Sequence, residues 1–533
     1  MKINLNGTPK GSEHTFMSGV IILTVSTVIV KIIGLAYKIP LLSILGPGGM
    51  GYFNSAYEIY ALLCGVSTSG LPIAVSMLIS SANERGDIGG ARRIFATSSA
   101  ILLTKGVLFS AALALAAQPI AELIGNKEAY YAILAISPSL LFSCISSACR
   151  GYFQGCRQML PTAASQLIEA VCKLLLGVTF AYLGIRMGMQ LYSAAAMGIL
   201  AVSFGSLFAS AYLCIKLRRD SRLSLFGSGS GESGKGYYLG QLLCISLPIT
   251  LGSVLMGSSR IIDMSLIMRR LQDIGVSVSE ANEIYGSYTT LAFPVFSLVP
   301  AFIPPITESL IPRLSAAVER NDREEQTRAI SNATRLTLFI SMPASMGIML
   351  YSEEIITLLF RGQSEAISIS APLLSVLGVA VLFSCMISTA NAVLQSYKKV
   401  MLPIFALLVG AVVKAVSAYF LIGDADVGAL GAPISTVLFN VTVVVLDLIF
   451  VRRTAKKTGL AASLVKPFVA SGVAVLTSYA LYMPLLAATD NVYLSFGTAF
   501  IVAAALYLAL SIALGVVSKD DIAVFYRKKR KRL

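Results

Sequence analysis

Long apolar segments separated by short polar ones make up most of the chain. About fourteen such runs can be distinguished. They cover approximately residues 16–45, 52–82, 92–117, 129–149, 161–185, 191–215, 237–267, 284–312, 329–351, 368–396, 402–422, 428–451, 467–488 and 493–517. Each is close to or longer than the roughly 20 residues with which an α-helix crosses the hydrocarbon core of a bilayer. Because backbone groups in lipid must find their partners within the segment, the pattern predicts about fourteen transmembrane helices.

The composition indicates a membrane body rather than several soluble domains. Of the 533 residues, 56% are hydrophobic and 13% are charged, whereas a soluble protein carries roughly 25% charged residues. The net charge of +15 would suit nucleic acid, but the basic residues lie in short loops between apolar runs, so no nucleic-acid partner is expected. The basic tail after Tyr526 is expected to lie against anionic membrane lipids.

Cysteine and histidine usage argues against metal and cofactor chemistry. Eight cysteines are present without a C-x-x-C pair, and the single histidine, His14, precedes the first long apolar run. Small buried hydrophobes account for the cysteines. We therefore expect no metal site and no cofactor, and the protein is not expected to be an enzyme.

Basic residues in the loops predict the orientation, because Lys and Arg are enriched on the cytosolic side. With the N-terminus in the cytosol, 30 Lys and Arg residues fall on the cytosolic side and five on the other, and the remaining seven of the 42 lie within spans. Arg150 and Arg157 are counted among the 30 as loop residues. The bias predicts fourteen spans with both termini cytosolic.

An internal repeat divides the chain. The segment LFSC at 141–144 recurs at 382–385, and ISSANERGD at 79–87 matches LSAAVERND at 314–322. The offset of the first match, 241 residues, also pairs Gln154 with Gln395, Arg157 with Lys398, and Lys173 with Lys414. Six spans separate equivalent positions, so the copies have the same orientation and form a parallel repeat.

The repeat predicts the domain organisation. Residues 1–216 form a first six-helix lobe, a Gly/Ser-rich cytosolic linker covers 217–236, and residues 237–455 form a second six-helix lobe. Residues 456–533 add two further transmembrane helices and the basic tail. The expected fold class is an all-α polytopic membrane protein with two parallel six-helix repeats plus two C-terminal helices.

Ionisable residues near the middle of a span cost roughly 2.5–3.5 kcal/mol on insertion scales, so they mark candidate functional positions. Lys31 lies near the middle of span 1 and is a candidate phosphate contact, unless it pairs with an acid such as Glu58. Lys38 is seven residues further on and lies on much the same face, where snorkelling to the membrane surface is an equal alternative.

Further candidates lie in spans 5, 7 and 11. Lys173 and Lys414 occupy equivalent positions of the repeat, but Glu169 lies one turn before Lys173 and can neutralise it. Lys414 has no acid one turn away and is the clearer ligand candidate. The pair Arg260 and Asp263 has a spacing of i,i+3 in span 7, and a structural pair and a cavity pair are equally open.

Polar residues near helix ends are expected to play smaller parts. Gln154 and Gln395 either line the mouth of a cytosolic cavity or make hydrogen bonds between helices. Asp447 is expected to be a boundary residue near a cytosolic helix end.

Helix-breaking residues are candidate hinges. Gly70 and Pro72 in span 2 and Pro304 with Pro305 in span 8 occupy roughly corresponding places in the two lobes. Such breaks line cavities or absorb motion in transporters, although a static kink is the alternative.

Several short stretches resemble the multidrug/oligosaccharidyl-lipid/polysaccharide exporter superfamily, and within it the stage V sporulation protein B-like polysaccharide biosynthesis flippases. They are RGYFQGC at 150–156, Pro161, SQLIEAVCKL at 165–174, SGLPIAVS at 69–76, ERGD at 84–87 and SLPIT at 246–250. The resemblance implies two six-helix lobes around a central cavity in a bacterial cytoplasmic membrane protein. It also implies a first-span cationic motif, which stands here as Lys31-x-x-Gly34 and Lys38. The family pattern has an arginine in the second span, but the corresponding stretch of this chain, ALLCGVSTSGLP at 61–72, contains none.

The resulting hypothesis is a monomeric flippase that moves a lipid-linked saccharide by alternating access. An undecaprenyl-pyrophosphate peptidoglycan precursor or a related lipid is the implied substrate, with its tail in lipid along spans 13 and 14. No G-x-x-x-x-G-K-[ST] motif is present, and the coupling ion and any role in sporulation stay open. A multidrug or organic-cation antiporter is the first alternative, although it would favour acidic and aromatic residues. A membrane glycosyltransferase or polymerase is the second, but it would need catalytic carboxylates in a sizeable outer loop.

Overall fold

A computed structural model describes residues 10–220, 235–455 and 460–516. Within these ranges the regular secondary structure is helical, and the described residues contain no β-strand. The centre of the predicted linker, 221–234, and the basic tail after residue 516 lie outside the described residues. The all-helical class expected from the apolar runs is confirmed.

Eight helices precede the linker. They are α1 Lys10–Thr68, α2 Gly70–Glu84, α3 Ile88–Leu115, α4 Ala117–Leu123, α5 Tyr130–Ile136, α6 Pro138–Gly155, α7 Met159–Arg186 and α8 Leu191–Arg218. Eleven follow it among the described residues. They are α9 Lys235–Asp273, α10 Val278–Ser287, α11 Phe293–Leu298, α12 Pro304–Glu319, α13 Arg323–Leu350, α14 Ser352–Leu359, α15 Ser364–Ser396, α16 Met401–Ile422, α17 Gly431–Ala455, α18 Leu460–Thr489 and α19 Val492–Ala513.

Twelve helical segments in the described part of the chain are long and apolar enough to cross a membrane. One of them, Val25–Glu84, covers the first two predicted spans together. The predicted eighth span at 284–312 is missing from the twelve because it is broken into short helices. These two differences make the twelve segments compatible with the predicted fourteen spans, and the protein is a multi-pass membrane protein.

A glycine separates the first two predicted spans. Gly46 has φ 65° and ψ 177°, a conformation that is not helical. This region of backbone space is open to glycine and almost closed to residues with a Cβ. Pro47 follows directly and has no N–H to continue the helical ladder. The pair Gly46-Pro47 therefore breaks the long α1 helix at the predicted end of span 1.

The segment of the eighth span changes helix type several times. A π-helical turn covers Tyr288–Ala292, and a 3₁₀ turn covers Pro300–Phe302. Prolines at 294, 300, 304 and 305 remove backbone donors along this stretch. Because π-turns and proline breaks leave carbonyl groups outside the α-helical pattern, this segment is an irregular part of the helix.

The two copies of the repeat share unusual local geometry. Arg157 and Lys398 both adopt left-handed backbone angles, with φ 59° and 61°. Arg157 binds Glu84 at 2.6 Å, and Lys398 binds the equivalent Glu319 at 3.4 Å. Non-glycine residues seldom take a positive φ. The same rare turn and the same ion pair at matched positions support the internal duplication read from the sequence.

Packing groups the described residues into two compact units. The first runs to Arg269 and includes Ser277–Gly286, and the second contains Arg270–Val276 and the residues from Ser287 onwards. Most of α9 therefore packs within the first unit. The six-helix lobes predicted from the repeat, 1–216 and 237–455, stay a prediction. The packing units follow contacts between residues, whereas the lobes follow the internal duplication of the sequence.

Candidate functional site

Helices α1, α7 and α8 of the first unit line a cavity of about 370 Å³. This volume lies in the range of cavities that hold small organic ligands, roughly 300–1,000 Å³. Its lining residues are Thr27, Val30, Lys31, Ile33, Gly34, Tyr37, Lys38, Phe53, Asn54, Tyr57, Gln166, Glu169, Ala170, Lys173 and Val202. The cavity thus contains four of the charged residues selected from the sequence.

Three lysines give the cavity a cationic wall. Lys31 and Lys38 come from α1 and Lys173 from α7. Lys31 is exposed, and it makes no hydrogen bond or ion pair with the residues that the structure describes. Residues seven apart on a helix lie two turns apart on nearly the same face, which explains why Lys31 and Lys38 reach the same space.

Glu169 holds two cations at once. Its Oε1 accepts a hydrogen bond from Lys173 Nζ at 2.8 Å, and its Oε2 accepts one from Arg150 Nη2 at 3.1 Å. The pairing of Glu169 with Lys173 was anticipated from their i,i+4 spacing, but Arg150 was counted as a loop residue. It lies instead inside α6, with its side chain 20% exposed.

Glu58 binds Arg260, not Lys31. The Nη1 atom of Arg260 lies 3.1 Å from Glu58 Oε2, and the Glu58 side chain is 13% exposed. The sequence grouped Arg260 with Asp263, which is buried. Lys38 lies within electrostatic reach of both Glu58 and Arg260. The Glu58–Arg260 pair therefore adds little net charge beside the cavity, and neither member lines it.

Aromatic and amide side chains complete the cavity wall. Tyr37 and Phe53 make an edge contact with ring centroids 6.1 Å apart, and Phe53 stacks on Tyr57 at 6.3 Å. Asn54 and Gln166 add amide groups to the same wall. Sequence reasoning missed all five, because it searched for charges. The i,i+4 spacing of Phe53 and Tyr57 was the available signal.

Lys414 has a different environment from its repeat partner. It is buried in the second unit, where its Nζ donates a hydrogen bond to Thr436 Oγ1 at 2.9 Å. Lys414 does not line the cavity of the first unit. Its predicted role as a phosphate ligand stays a prediction.

Asp447 does not lie at a helix boundary as expected. It is fully buried in α17, two turns before the end of that helix. Neither carboxylate oxygen has a hydrogen-bond partner among the described residues. The expectation of a boundary residue is therefore wrong, because the packing of neighbouring helices decides the burial of Asp447.

The glutamines of the predicted cavity mouth end two equivalent helices. Gln154 is half-buried in the last turn of α6, and Gln395 is exposed in the last turn of α15. Neither side-chain amide makes a hydrogen bond within the part of the chain that the structure describes. Their backbone carbonyls accept from Arg157 and Lys398, both at 2.9 Å, and so close the left-handed turns.

The candidate hinges lie at the starts of helices. Gly70 begins α2 next to the backbone of Ser246, where an added Cβ would overlap the Ser246 carbonyl group. Pro72 lies in the first turn of α2, and Pro304 and Pro305 begin α12. Close packing against α9 thus explains the glycine at position 70, and a hinge role for these four residues stays a prediction.

Solved transport proteins share this fold. A structure of the lipid II flippase MurJ in an inward closed conformation aligns with a TM-score of 0.69 at 16% identity, over 95% of this chain and 99% of that protein. A multidrug resistance MATE family transporter of the MOP superfamily in an inward-facing conformation aligns with a TM-score of 0.68 at 17% identity, over 82% of this chain and 98% of that protein. At these identities the likeness concerns the fold alone.

Curated relatives extend the likeness to sequence. Stage V sporulation protein B of Bacillus subtilis (strain 168) is 26% identical over 525 residues, which cover 96% of this chain and 98% of the relative. Lipid II flippase MurJ of the same organism is 27% identical over 418 residues, covering 75% of this chain and 76% of the relative.

Two family models match overlapping halves of the chain. The model of lipid II flippase MurJ matches residues 291–528. The model described as polysaccharide biosynthesis protein matches residues 16–318, which is more than half of the chain and contains every residue that lines the cavity. The resemblance read from the short motifs is confirmed, and the chain belongs to the polysaccharide biosynthesis protein family.

Proposed function

We propose that this protein is a flippase that moves the headgroup of a lipid-linked saccharide across the bacterial cytoplasmic membrane. The observation that carries the proposal is the cationic cavity of the first unit, to which Lys31, Lys38 and Lys173 contribute. A lipid carrier that holds its sugar through a pyrophosphate is the substrate class that matches this wall. The names of relatives, a lipid II flippase among them, favour a peptidoglycan precursor or a related lipid.

The cavity offers one kind of contact for each part of such a headgroup. Lysine ammonium groups bind phosphate oxygens as point charges, and hydrogen bonds to charged groups contribute roughly 1.5–3 kcal/mol each. The aromatic side chains of Phe53 and Tyr57 give the wall apolar area for the C–H groups of a sugar ring, and Asn54 and Gln166 give it amide groups for hydroxyls. The polyprenyl tail stays in lipid, along α18 and α19.

Alternating access is the proposed mechanism. The headgroup enters the cavity from the cytosolic side, and rearrangement around the predicted hinges Gly70, Pro72, Pro304 and Pro305 exposes it outside. Both termini lie in the cytosol in this proposal, and membrane lipids are the surroundings of a monomer. The driving force is a gradient, a potential or the consumption of product.

The multidrug antiporter alternative shares the fold, because a MATE family transporter is a structural neighbour. An organic cation in the first-unit cavity would meet the charges of Lys31 and Lys38, and like charges in one cavity repel. This repulsion favours an anionic substrate over a cationic one.

The test is transport by the purified full chain. The protein is reconstituted in liposomes with fluorescent lipid-linked precursors, and headgroup translocation is measured with an impermeant quencher. A neutral lipid-linked saccharide without phosphate and an organic cation serve as comparison substrates. We expect translocation of the pyrophosphate-linked precursor only. Transport of the cation, or no transport of the precursor above empty liposomes, would overturn the proposal.

A further inference from the structure

The net charge that α7 presents to the cavity depends on the acidic neighbour of Lys173. Glu169 and Lys173 both line the cavity, and their side chains are joined at 2.8 Å. A carboxylate and an ammonium in direct contact form a pair without net charge. If these two residues acted alone, α7 would contribute no positive charge with which to hold an anion.

Arg150 adds a positive charge next to this pair without lining the cavity itself. It belongs to α6 and does not line the cavity. Its Nη2 lies 3.1 Å from Glu169 Oε2, and its Nε donates to Ser165 Oγ at 3.0 Å. The hydroxyl of Ser165 in turn donates to the carbonyl of Thr162 at 2.7 Å. These bonds fix the guanidinium plane against one oxygen of the carboxylate and leave the other oxygen to Lys173.

We propose that Arg150 is a positioning residue that balances the charge of Glu169, so that the group as a whole presents one positive charge to the cavity through Lys173. The inference rests on the proposed function, because its ligand is the pyrophosphate of the lipid-linked substrate. Arg150 does not touch this anion. It allows Lys173 to attract the anion although an acid lies one turn away.

The second copy of the repeat supports this assignment. The offset of 241 residues that aligns Lys173 with Lys414 places Asn391 opposite Arg150. Opposite Glu169 it places Gly410, or Ala411 if the one-residue gap is counted. The second copy thus lacks both the acid and the arginine but keeps the lysine, which donates to Thr436. Arginine and acid are present together or absent together, as charge balance requires.

The geometry also explains why this position holds arginine. A guanidinium presents donors in a fixed fork, so it can bind Ser165 and Glu169 in two directions at once. A lysine ammonium would keep the positive charge, but it is a compact donor without the guanidinium fork. It would therefore not fix the orientation of the Glu169 carboxylate through simultaneous bonds to Ser165 and Glu169. Arg150→Lys is therefore expected to retain anion binding in part.

The experiment measures binding of inorganic pyrophosphate to the full chain in detergent by calorimetry. Arg150→Gln should weaken binding roughly tenfold, because it removes one charge near the site. Arg150→Gln/Glu169→Gln removes one charge of each sign and should restore affinity to near the parental value. Arg328→Gln is the matched control, since Arg328 forms an exposed pair with Glu324 at 2.7 Å, and it should leave binding unchanged.

Three outcomes would overturn the inference. If Arg150 only stabilises the fold, the double variant will bind no better than Arg150→Gln and will unfold at a still lower temperature. If Arg150→Gln binds pyrophosphate as the parent does, the arginine does not tune the site. A parent that binds no pyrophosphate would also refute it, because the cavity would then have no anion to hold.

Failure of the proposed function gives a different result. In that case the parent binds pyrophosphate and responds to the substitutions as expected, but moves no lipid-linked precursor in liposomes. The charge balance would then serve another anion.

Discussion

Replacement of Lys31 by glutamine separates a binding role from a structural one. Lys31 lines the cavity, is exposed, and has no hydrogen bond or ion pair to the described residues. Glutamine keeps a polar, flexible side chain, although a shorter one, and removes the charge. We therefore expect Lys31→Gln to fold and insert normally and to lose transport of a pyrophosphate-linked precursor.

The size of the effect follows from these contacts. A surface substitution that breaks no contact usually changes stability by less than about 0.5 kcal/mol. A hydrogen bond to a charged group contributes roughly 1.5–3 kcal/mol, and every 1.4 kcal/mol is about tenfold in affinity. Lys31→Gln should thus weaken precursor binding by roughly ten- to a hundredfold without shifting the unfolding temperature. Lys31→Arg keeps the charge and should retain much of the activity.

The assay is initial-rate translocation in liposomes at several precursor concentrations, with protein amount and unfolding temperature measured on the same samples. Lys127→Gln is the matched control, because Lys127 is exposed and lies outside the cavity. Parental transport by well-folded Lys31→Gln would refute the role of this charge. Loss of folded protein instead of transport would show that Lys31 is structural.

Four further predictions concern the fold, the buried acid, the orientation and the hinge. Gly46→Ala should lower the free energy of unfolding by about 1–3 kcal/mol, because Gly46 has φ 65° and ψ 177°; unchanged unfolding in a denaturant titration would contradict the strained break. Asp447→Asn should leave the unfolding temperature unchanged or raise it, since neither carboxylate oxygen has a partner among the described residues; a clear decrease would reveal a contact of the charged form. In a cysteine-free protein, a cysteine introduced at Lys127 should react with a membrane-impermeant reagent added outside, and one introduced at Arg320 should react only from the cytosolic side. Labelling of Arg320→Cys from outside would contradict cytosolic termini. Pro72→Ala should slow translocation of a correctly inserted protein if the break is a hinge, whereas an unchanged rate would identify a static kink.

The repeat shows how far local sequence determines structure. The motifs ERGD and ERND, together with the matched glutamines, predicted equivalence of segments about 240 residues apart. The structure has the same left-handed turn at Arg157 and Lys398 and the same type of ion pair, to Glu84 and Glu319. Such turns depend on a few neighbouring residues and on backbone sterics, so a sequence comparison suffices to find them.

The sequence by itself determined that the protein is an all-helical membrane protein, because a bilayer imposes length and hydropathy on each span separately. It also identified Lys31, Lys38, Lys173 and Glu169, whose spacing along α1 and α7 places them on shared faces. Only the tertiary structure decided which charges meet. Glu58 binds Arg260, which lies 202 residues away, and Arg150 binds Glu169 from another helix. These pairings depend on how helices pack, and no local pattern of residues records that packing.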